Sequence, residues 1–436
     1  MTIRATFALA FGLAALAAAP VAAQSVFGCT DLDGRHSMAS IEGANGTFYR
    51  VNPDLRMFHG FSDETVDDLA RLSQALSDQG TTLVYIPLPT KSLALPDMLP
   101  QRARDYGFDV SMATTLYIDI QDRLREKSVL TADVRRALRA GGKDAPSIFQ
   151  ADYRLTSAGA QRMAQAIGET ISQAPGFAGL PRGRFETRPS GMVTLPSDMR
   201  SALQRHCMIA LPPVETENYA TDRLQAASAS NESTIFGGRA VTARVAIVGT
   251  EHTGEAAVNL PGFLAQATGL EVLQYSVNGG GSFAAISSYL TSREFQEARP
   301  AFLVWINPVE NNLAQFGDQP LRELIAAAGP NCRLPLPTLA GSRADVVTAD
   351  LTPLDRSQNY TLLVESDGTQ ATSARFEFRA ASGLMRAKSV YRHPDQVKTG
   401  RFYMPMSGLW PEGAQAVDIV LDVPFAGSAR VTACFD

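Results

Sequence analysis

The sequence predicts an α/β protein built on a mostly parallel sheet flanked by helices and followed by a small antiparallel β-sandwich. Short apolar runs alternate with helix-period stripes through most of the chain, the pattern of a sheet covered on both faces. The run Val245-Ala246-Ile247-Val248 stops at Gly249 and opens into the polar cluster Thr250-Glu251-His252-Thr253. A buried strand ends this way before a turn that carries chemistry. Past Pro330 the period falls to two: charges alternate with aromatics in Arg375-Phe376-Glu377-Phe378-Arg379, and Val417, Ile419, Leu421 and Val423 alternate with Asp418 and Asp422.

In chain order, Met1 to Ala23 has an early Arg4, an apolar run from Phe7 to Pro20, and small residues before Gln24. This reads as a cleaved secretory signal, so a periplasmic or secreted protein is expected. A membrane anchor is the competing reading, but the run is short for a span and no stop-transfer charges follow it. Glu42 to Leu55 reads as turn and hairpin. Val66, Leu69, Leu72 and Leu76 form a helical stripe within Thr65 to Gln79, with Gly80 as its stop. Thr82 to Ile86 is a strand, broken after by Pro87, Pro89 and Pro96; Leu116, Ile120 and Leu124 mark a helix, Val129 to Ala132 a strand, and Ala158 to Ile171 a helix. Gly176 to Gly238 shows no clear period and reads as an excursion from the sheet. The sheet resumes at Val245, with a helix-like segment around Phe263, Leu264 and Ala267, strands at Val272 to Ser276 and Phe302 to Trp305, and a helix over Phe283 to Leu290. The glycines of Asn278-Gly279-Gly280-Gly281-Ser282 can bring backbone amides to an oxyanion or simply make a flexible turn.

A net charge of -5 argues against general nucleic-acid binding. Cys29, Cys207, Cys332 and Cys434 lack metal-ligand spacing, and four cysteines allow three pairings that counting cannot separate. Pairing within domains, Cys29 with Cys207 and Cys332 with Cys434, is the economical choice in an exported protein. No metal and no cofactor is expected. The division is a signal over 1–23, an α/β domain over 24–330 and a β-sandwich over 331–436.

Five segments in order resemble the AlgX/AlgJ family of alginate O-acetylation proteins: Gly43-Ala44-Asn45-Gly46-Thr47-Phe48, Ile86-Pro87-Leu88-Pro89-Thr90-Lys91, Asp152-Tyr153-Arg154-Leu155-Thr156 with its continuation to Ala160, Val248 to Thr253, and Leu303-Val304-Trp305. The resemblance implies an SGNH-hydrolase-like (flavodoxin-like) domain, a carbohydrate-binding module, and the same two disulfides. It also implies a Ser-His-Asp triad, in which a hydroxyl attacks, an imidazole moves the proton and a carboxylate orients the imidazole. Asp152 matches, but Arg154 stands at the histidine position and Glu251 at the serine position. Arginine stays protonated and cannot act as a base, and a glutamate attacking an acyl group would give a reactive anhydride.

The expected function is therefore a periplasmic, non-catalytic polysaccharide-binding or complex-organising member of the family. The partners that the resemblance implies are an anionic polysaccharide, a membrane O-acyltransferase as acetyl donor, and a catalytic paralogue. The alternative is an active O-acetyltransferase or esterase with a rearranged site, in which His252 serves a hydroxyl of Thr250, Thr253 or Ser282. A Glu251 to Arg154 salt bridge is expected to fill the former cleft, with Asp152 as a third member. For polymer binding, the basic stretch Arg375, Arg379, Arg386, Lys388, Arg392, Lys398 and Arg401 is set against only Glu377 and Asp395. Tyr391, Tyr403 and Trp410 are candidates to stack on sugar rings, and Asn278 is a candidate beside the cleft. A solvated sheet face with core aromatics is the competing reading of that stretch.

Overall fold

The structure, a computed structural model, describes residues 25–34, 37–142, 144–225, 234–236, 239–366, 368–380, 382–410 and 414–435. The expected signal over 1–23 lies outside the described residues.

A hairpin of Ser40–Glu42 and Phe48–Arg50 leads into helix α1 (Asp63–Ser77). Ser62 caps α1 by accepting the Thr65 N–H, and the chain leaves it through Gly80 at φ 82°. Strand β1 (Thr82–Leu88), helices α2 (Val110–Glu126) and α3 (Ser157–Ser172), and strand β2 (Arg239–Gly249) follow. Next come α4 (Leu260–Thr268), β3 (Glu271–Ser276), α5 (Ala284–Thr291), β4 (Ala298–Pro308) and α6 (Gln319–Ala328). The sheet order is β1-β4-β2, with β3 on β2, all parallel, and a short antiparallel strand Thr234–Phe236 also pairs with β2.

Strand side chains alternate between faces, and the two cores follow that alternation. Val84, Ile86, Val245, Ile247, Val304 and Ile306 pack with residues of α3 and α4. Leu83, Tyr85, Ala246, Val248, Leu303 and Trp305 face α1, α5 and α6. The first turn of α3, Ser157-Ala158-Gly159-Ala160, needs its glycine, because a Cβ on Gly159 would stand 2.0 Å from the Ser147 carbonyl oxygen.

Residues 332–435 form two antiparallel sheets. One has the order Thr338–Ala340, Val346–Asp350, Ala414–Leu421, β5 (Ser373–Ala380), β6 (Met385–Tyr391). The other runs Cys332–Pro335, Ala429–Phe435, Tyr360–Ser366, β7 (Arg401–Pro405). Phe376 and Phe378 are fully buried in the core between them, as the period-two pattern requires. The second sheet also turns Leu363, Tyr403 and Cys434 toward the α1, α5 and α6 side of the parallel sheet. Disulfides join Cys29 to Cys207 and Cys332 to Cys434.

Two local expectations change. Val129 to Ala132 is a single bridge, Leu130 to Val84, rather than a strand. Ser128 at φ 62° and Asp133 capping the helix Val134–Arg139 leave too little chain between them for more. The excursion after Gly176 contains a long hairpin, Arg184–Thr194 against Glu215–Gln225, and a helix Asp198–Gln204. Strand Arg184–Thr194 buries neither face, so it carries no alternation to read.

Candidate functional site

The carboxyl ends of β1, β2 and β4 converge on the cluster that the sequence singled out. β2 ends at Gly249, Thr250 is extended, and a one-turn helix covers Glu251–Gly254. Opposite stands the 149–154 loop, closed by Phe149 N–H donating to the Arg154 carbonyl at 3.1 Å. On this loop Asp152 is buried and Arg154 half-buried.

Arg154 grips Asp152 in a two-point fork, Nε to Oδ1 at 3.1 Å and Nη2 to Oδ2 at 2.9 Å. The backbone N–H of Arg154 also donates to Asp152 Oδ1 at 2.8 Å. Burial alone would raise the Asp152 proton affinity, but the Arg154 and Ser197 hydrogen bonds outweigh it and hold the carboxyl below its usual range. The remaining donors go elsewhere: Nη1 to Glu255 Oε2 at 2.9 Å and Nη2 to the Pro196 carbonyl at 2.7 Å.

The expected Glu251 to Arg154 bridge is therefore wrong in its partner. The Asp152 fork and the Pro196 carbonyl saturate one side of the guanidinium, and the carboxylate that meets the free corner is Glu255, one helical turn beyond Glu251. Glu251 instead accepts the Gly279 N–H at 3.3 Å. That contact brings the glycine loop onto the cleft, with Asn278 exposed beside it.

Beneath this layer lies a second polar cluster. Arg50 pairs with Asp54 at 3.2 Å and Glu310 at 3.3 Å, and its guanidinium stands 4.2 Å from the Tyr153 ring centre. The Tyr153 ring meets the His252 ring edge-on at 5.4 Å. Burial pushes the Glu310 carboxyl up to about 7. Burial also pushes the His252 imidazole down to about 4, against the attraction of Glu251. Arg50, Lys91, Tyr153, His252 and Glu310 line a void of about 10 Å³, room for about one water and no sugar.

Of the three hydroxyls considered for a relocated dyad, two are committed to other partners. Thr253 Oγ1 donates to the Thr250 carbonyl and shares a hydrogen bond with Ser276, both at 2.8 Å. Ser282 Oγ donates to the Asn311 carbonyl at 3.1 Å, and the Thr250 hydroxyl is buried without a partner. Among the described residues, no group of three or more His, Cys, Asp or Glu side chains is placed to hold a metal. A cavity of about 1190 Å³ opens at the amino ends of the strands, lined by residues such as Thr82, Thr242, Arg244 and Glu271, and shares no residue with the cleft.

The basic stretch splits into two groups. Arg375 is exposed and pairs with Glu377 at 2.6 Å, and Arg386, Lys388 and Tyr391 on edge strand β6 are exposed. Arg392, Arg401 and Tyr403, expected on an open face, lie in the seam against the α/β unit. Arg392 pairs with Glu323 of α6, Arg401 pairs with Glu365 at 2.9 Å and donates to the Thr291 carbonyl at 3.3 Å, and Tyr403 is 3% exposed. The β6-to-β7 loop brings them there: Gln396 Nε2 donates to the Ala284 carbonyl at 2.6 Å and bonds Ser287 Oγ at 2.8 Å on α5. Trp410 is half-buried at the edge of the sandwich core, packing edge-on against Tyr360 with its Nε1–H on the Ala414 carbonyl at 3.4 Å. Sequence reasoning missed Arg50, Asp54, Glu255 and Glu310, and quoted Lys91 without assigning it a role. Only Glu255 left a signal, its spacing of one helical turn from Glu251.

Residues 51–308 match the family described as "SGNH hydrolase-like domain, acetyltransferase AlgX". The alginate biosynthesis protein AlgX of Pseudomonas aeruginosa is 29% identical over 275 residues, 63% of this chain and 56% of its own length. The probable alginate O-acetylase AlgJ of the same organism is 24% identical over 286 residues, 63% of this chain and 70% of its own length. The chain thus spans little more than half the length of the AlgX sequence it matches. Among solved structures, P. aeruginosa AlgX has a TM-score of 0.76 at 22% identity, covering 91% of this chain and 94% of that one. The O-acetyltransferase domain of P. putida AlgJ has a TM-score of 0.51 at 20% identity, covering 66% and 98%. At such identities the likeness to solved structures establishes the fold, an SGNH-like parallel sheet between helices with antiparallel sheets after it. The family match spans more than half of the chain, which therefore belongs to the SGNH hydrolase-like AlgX family.

Proposed function

We propose that this protein serves exopolysaccharide O-acetylation in the periplasm as a non-catalytic member of its family, binding an anionic, alginate-like polymer or organising the proteins that modify it. The observation that carries this reading is the occupancy of the cleft. Glu251 and Arg154 stand where the resemblance places serine and histidine, and Arg154 is tied to Asp152, Glu255 and the Pro196 carbonyl. An arginine so held cannot accept a proton. The rearranged-site alternative is narrowed to Thr250, whose buried hydroxyl has no partner, because those of Thr253 and Ser282 are committed to backbone carbonyls.

On this reading residues 24–330 form the SGNH-like unit and 331–436 a carbohydrate-binding module. The polymer lies along the edge strand β6, where Arg386 and Lys388 are exposed on one face and Tyr391 on the other, beside Arg375 of β5. The two disulfides favour an exported protein. A membrane acyltransferase and a catalytic paralogue are the partners such a role calls for. The test is acetyl release from a chromogenic ester by the purified protein beside its Asp152→Ala variant. Equal rates at the buffer background are expected, and turnover lost in the variant would overturn the reading.

A further inference from the structure

Lys91 follows the end of β1 in Pro89-Thr90-Lys91, and only 2% of it is exposed. Its Nζ donates to three backbone carbonyls of one loop: Phe149 at 2.6 Å, Gln150 at 2.9 Å and Asp152 at 2.9 Å. An ammonium has three N–H donors and a neutral amine two, so the trio of acceptors fits the charged form. The same loop presents Asp152 and Arg154 to the cleft. Asp54, which accepts the Lys91 backbone N–H at 3.4 Å, and Asp152 face the ammonium, with Arg50 as the opposing charge and the Tyr49 ring centre at 5.7 Å. Tyr153, His252 and Glu310 share the small void beside it.

We propose that Lys91 is a proton-dependent latch on the 149–154 loop: as an ammonium it gathers three carbonyls and fixes where Asp152 and Arg154 stand, and on losing a proton it lets one carbonyl go and loosens the loop. Lys91 is thus a positioning residue for the cleft, whatever the cleft binds. Burial lowers its proton affinity to about 7, against the attraction of Asp54 and Asp152, which places the change in an accessible range. The change is local. Between about 7 and the usual 10.5 the unfolded chain binds the extra proton, so this lysine does not weaken the whole fold as pH rises. The readout must therefore be the loop itself.

Amide hydrogen exchange corrected for intrinsic rates, followed from pH 6 to pH 9, tests this. Protection over residues 149–155 is expected to fall about five-fold, the worth of one hydrogen bond, while the Tyr360–Ser366 strand holds. Lys91→Met should show weak protection in that loop at every pH. Lys91→Arg, whose charge does not titrate, should keep protection with a flat profile. A flat wild-type profile, or an unchanged pH dependence in Lys91→Met, would overturn the proposal. If Lys91→Met does not fold, the wild-type and Lys91→Arg profiles decide it.

Discussion

Arg154 in the cleft and Arg392 in the seam beside α6 both meet carboxylates away from solvent, with side chains 14% and 7% exposed. Arg154 engages Nε, Nη1 and Nη2, taking two carboxylates and a carbonyl. Arg392 engages Nη2, with Glu323 and the Arg401 carbonyl, and stacks 5.3 Å from the Phe402 ring centre while its buried Nε has no partner. A saturated fork specifies one arrangement of its loop. A guanidinium held through one nitrogen recovers less of what desolvation costs, and a well-packed apolar side chain can replace it.

The widest separation between the two regions should come from truncation in the cleft. Arg154→Ala leaves the nearly buried Asp152 without its fork and is expected to cost about 3–5 kcal/mol in urea unfolding. A loss below about 1 kcal/mol would show that water restores the site and that saturation means little.

Acid should also reach the cleft before the seam. The folded-state proton affinities of His252 and the fully buried His59 are both pushed down to about 4, so over the window from about 6.5 to 4 the unfolded chain takes up more protons. Their contribution is present above that window and is lost as pH falls through it, by about 3 kcal/mol for each fully shifted group. Glu310, raised to about 7, acts in the opposite sense, binding its proton more tightly when folded. His252→Phe should therefore flatten the acid side of the stability profile relative to the unmodified protein, and an unchanged slope would remove His252 from the account.

For the seam, replacing both partners, Arg392→Met with Glu323→Gln, is expected to change stability by no more than about 1 kcal/mol, because the pair it removes is singly bonded. A cost equal to that of Arg154→Ala would erase the distinction. The smallest effect belongs to the exposed residues. Arg386→Ala with Lys388→Ala should weaken retention of alginate a few-fold at low salt and little at high salt, since exposed charges are screened over roughly 8–10 Å. Arg392→Ala should leave the salt dependence of retention as it is, because that arginine is turned into the seam.

Much of the fold was legible because periodicity reports which face of an element is covered. Leu69, Leu72 and Leu76 on α1, the alternation in β5, and the apolar run ending at Gly249 all appear where their spacing placed them. The hairpin Arg184–Thr194 with Glu215–Gln225 was illegible because it buries too little to imprint a pattern. Arg154 and Glu251 were legible as chemistry, since arginine and glutamate cannot do what the histidine and serine expected from the resemblance would do.

The sequence by itself determined the two architectures, the arginine and glutamate at positions 154 and 251, and four cysteines that counting left with three possible pairings. Tertiary structure alone decided that Arg154 takes Glu255 rather than Glu251, that Lys91 reaches across to three carbonyls, and that Arg392, Arg401 and Tyr403 turn inward to the seam while Arg386 and Lys388 stay in solvent. The physical reason is that residue spacing sets the direction a side chain leaves its own backbone, whereas its partner is chosen among groups brought within about 3 Å by elements distant in sequence. A long flexible side chain such as arginine or lysine reaches several candidates of equal chemistry, and only the packed arrangement of those elements separates them.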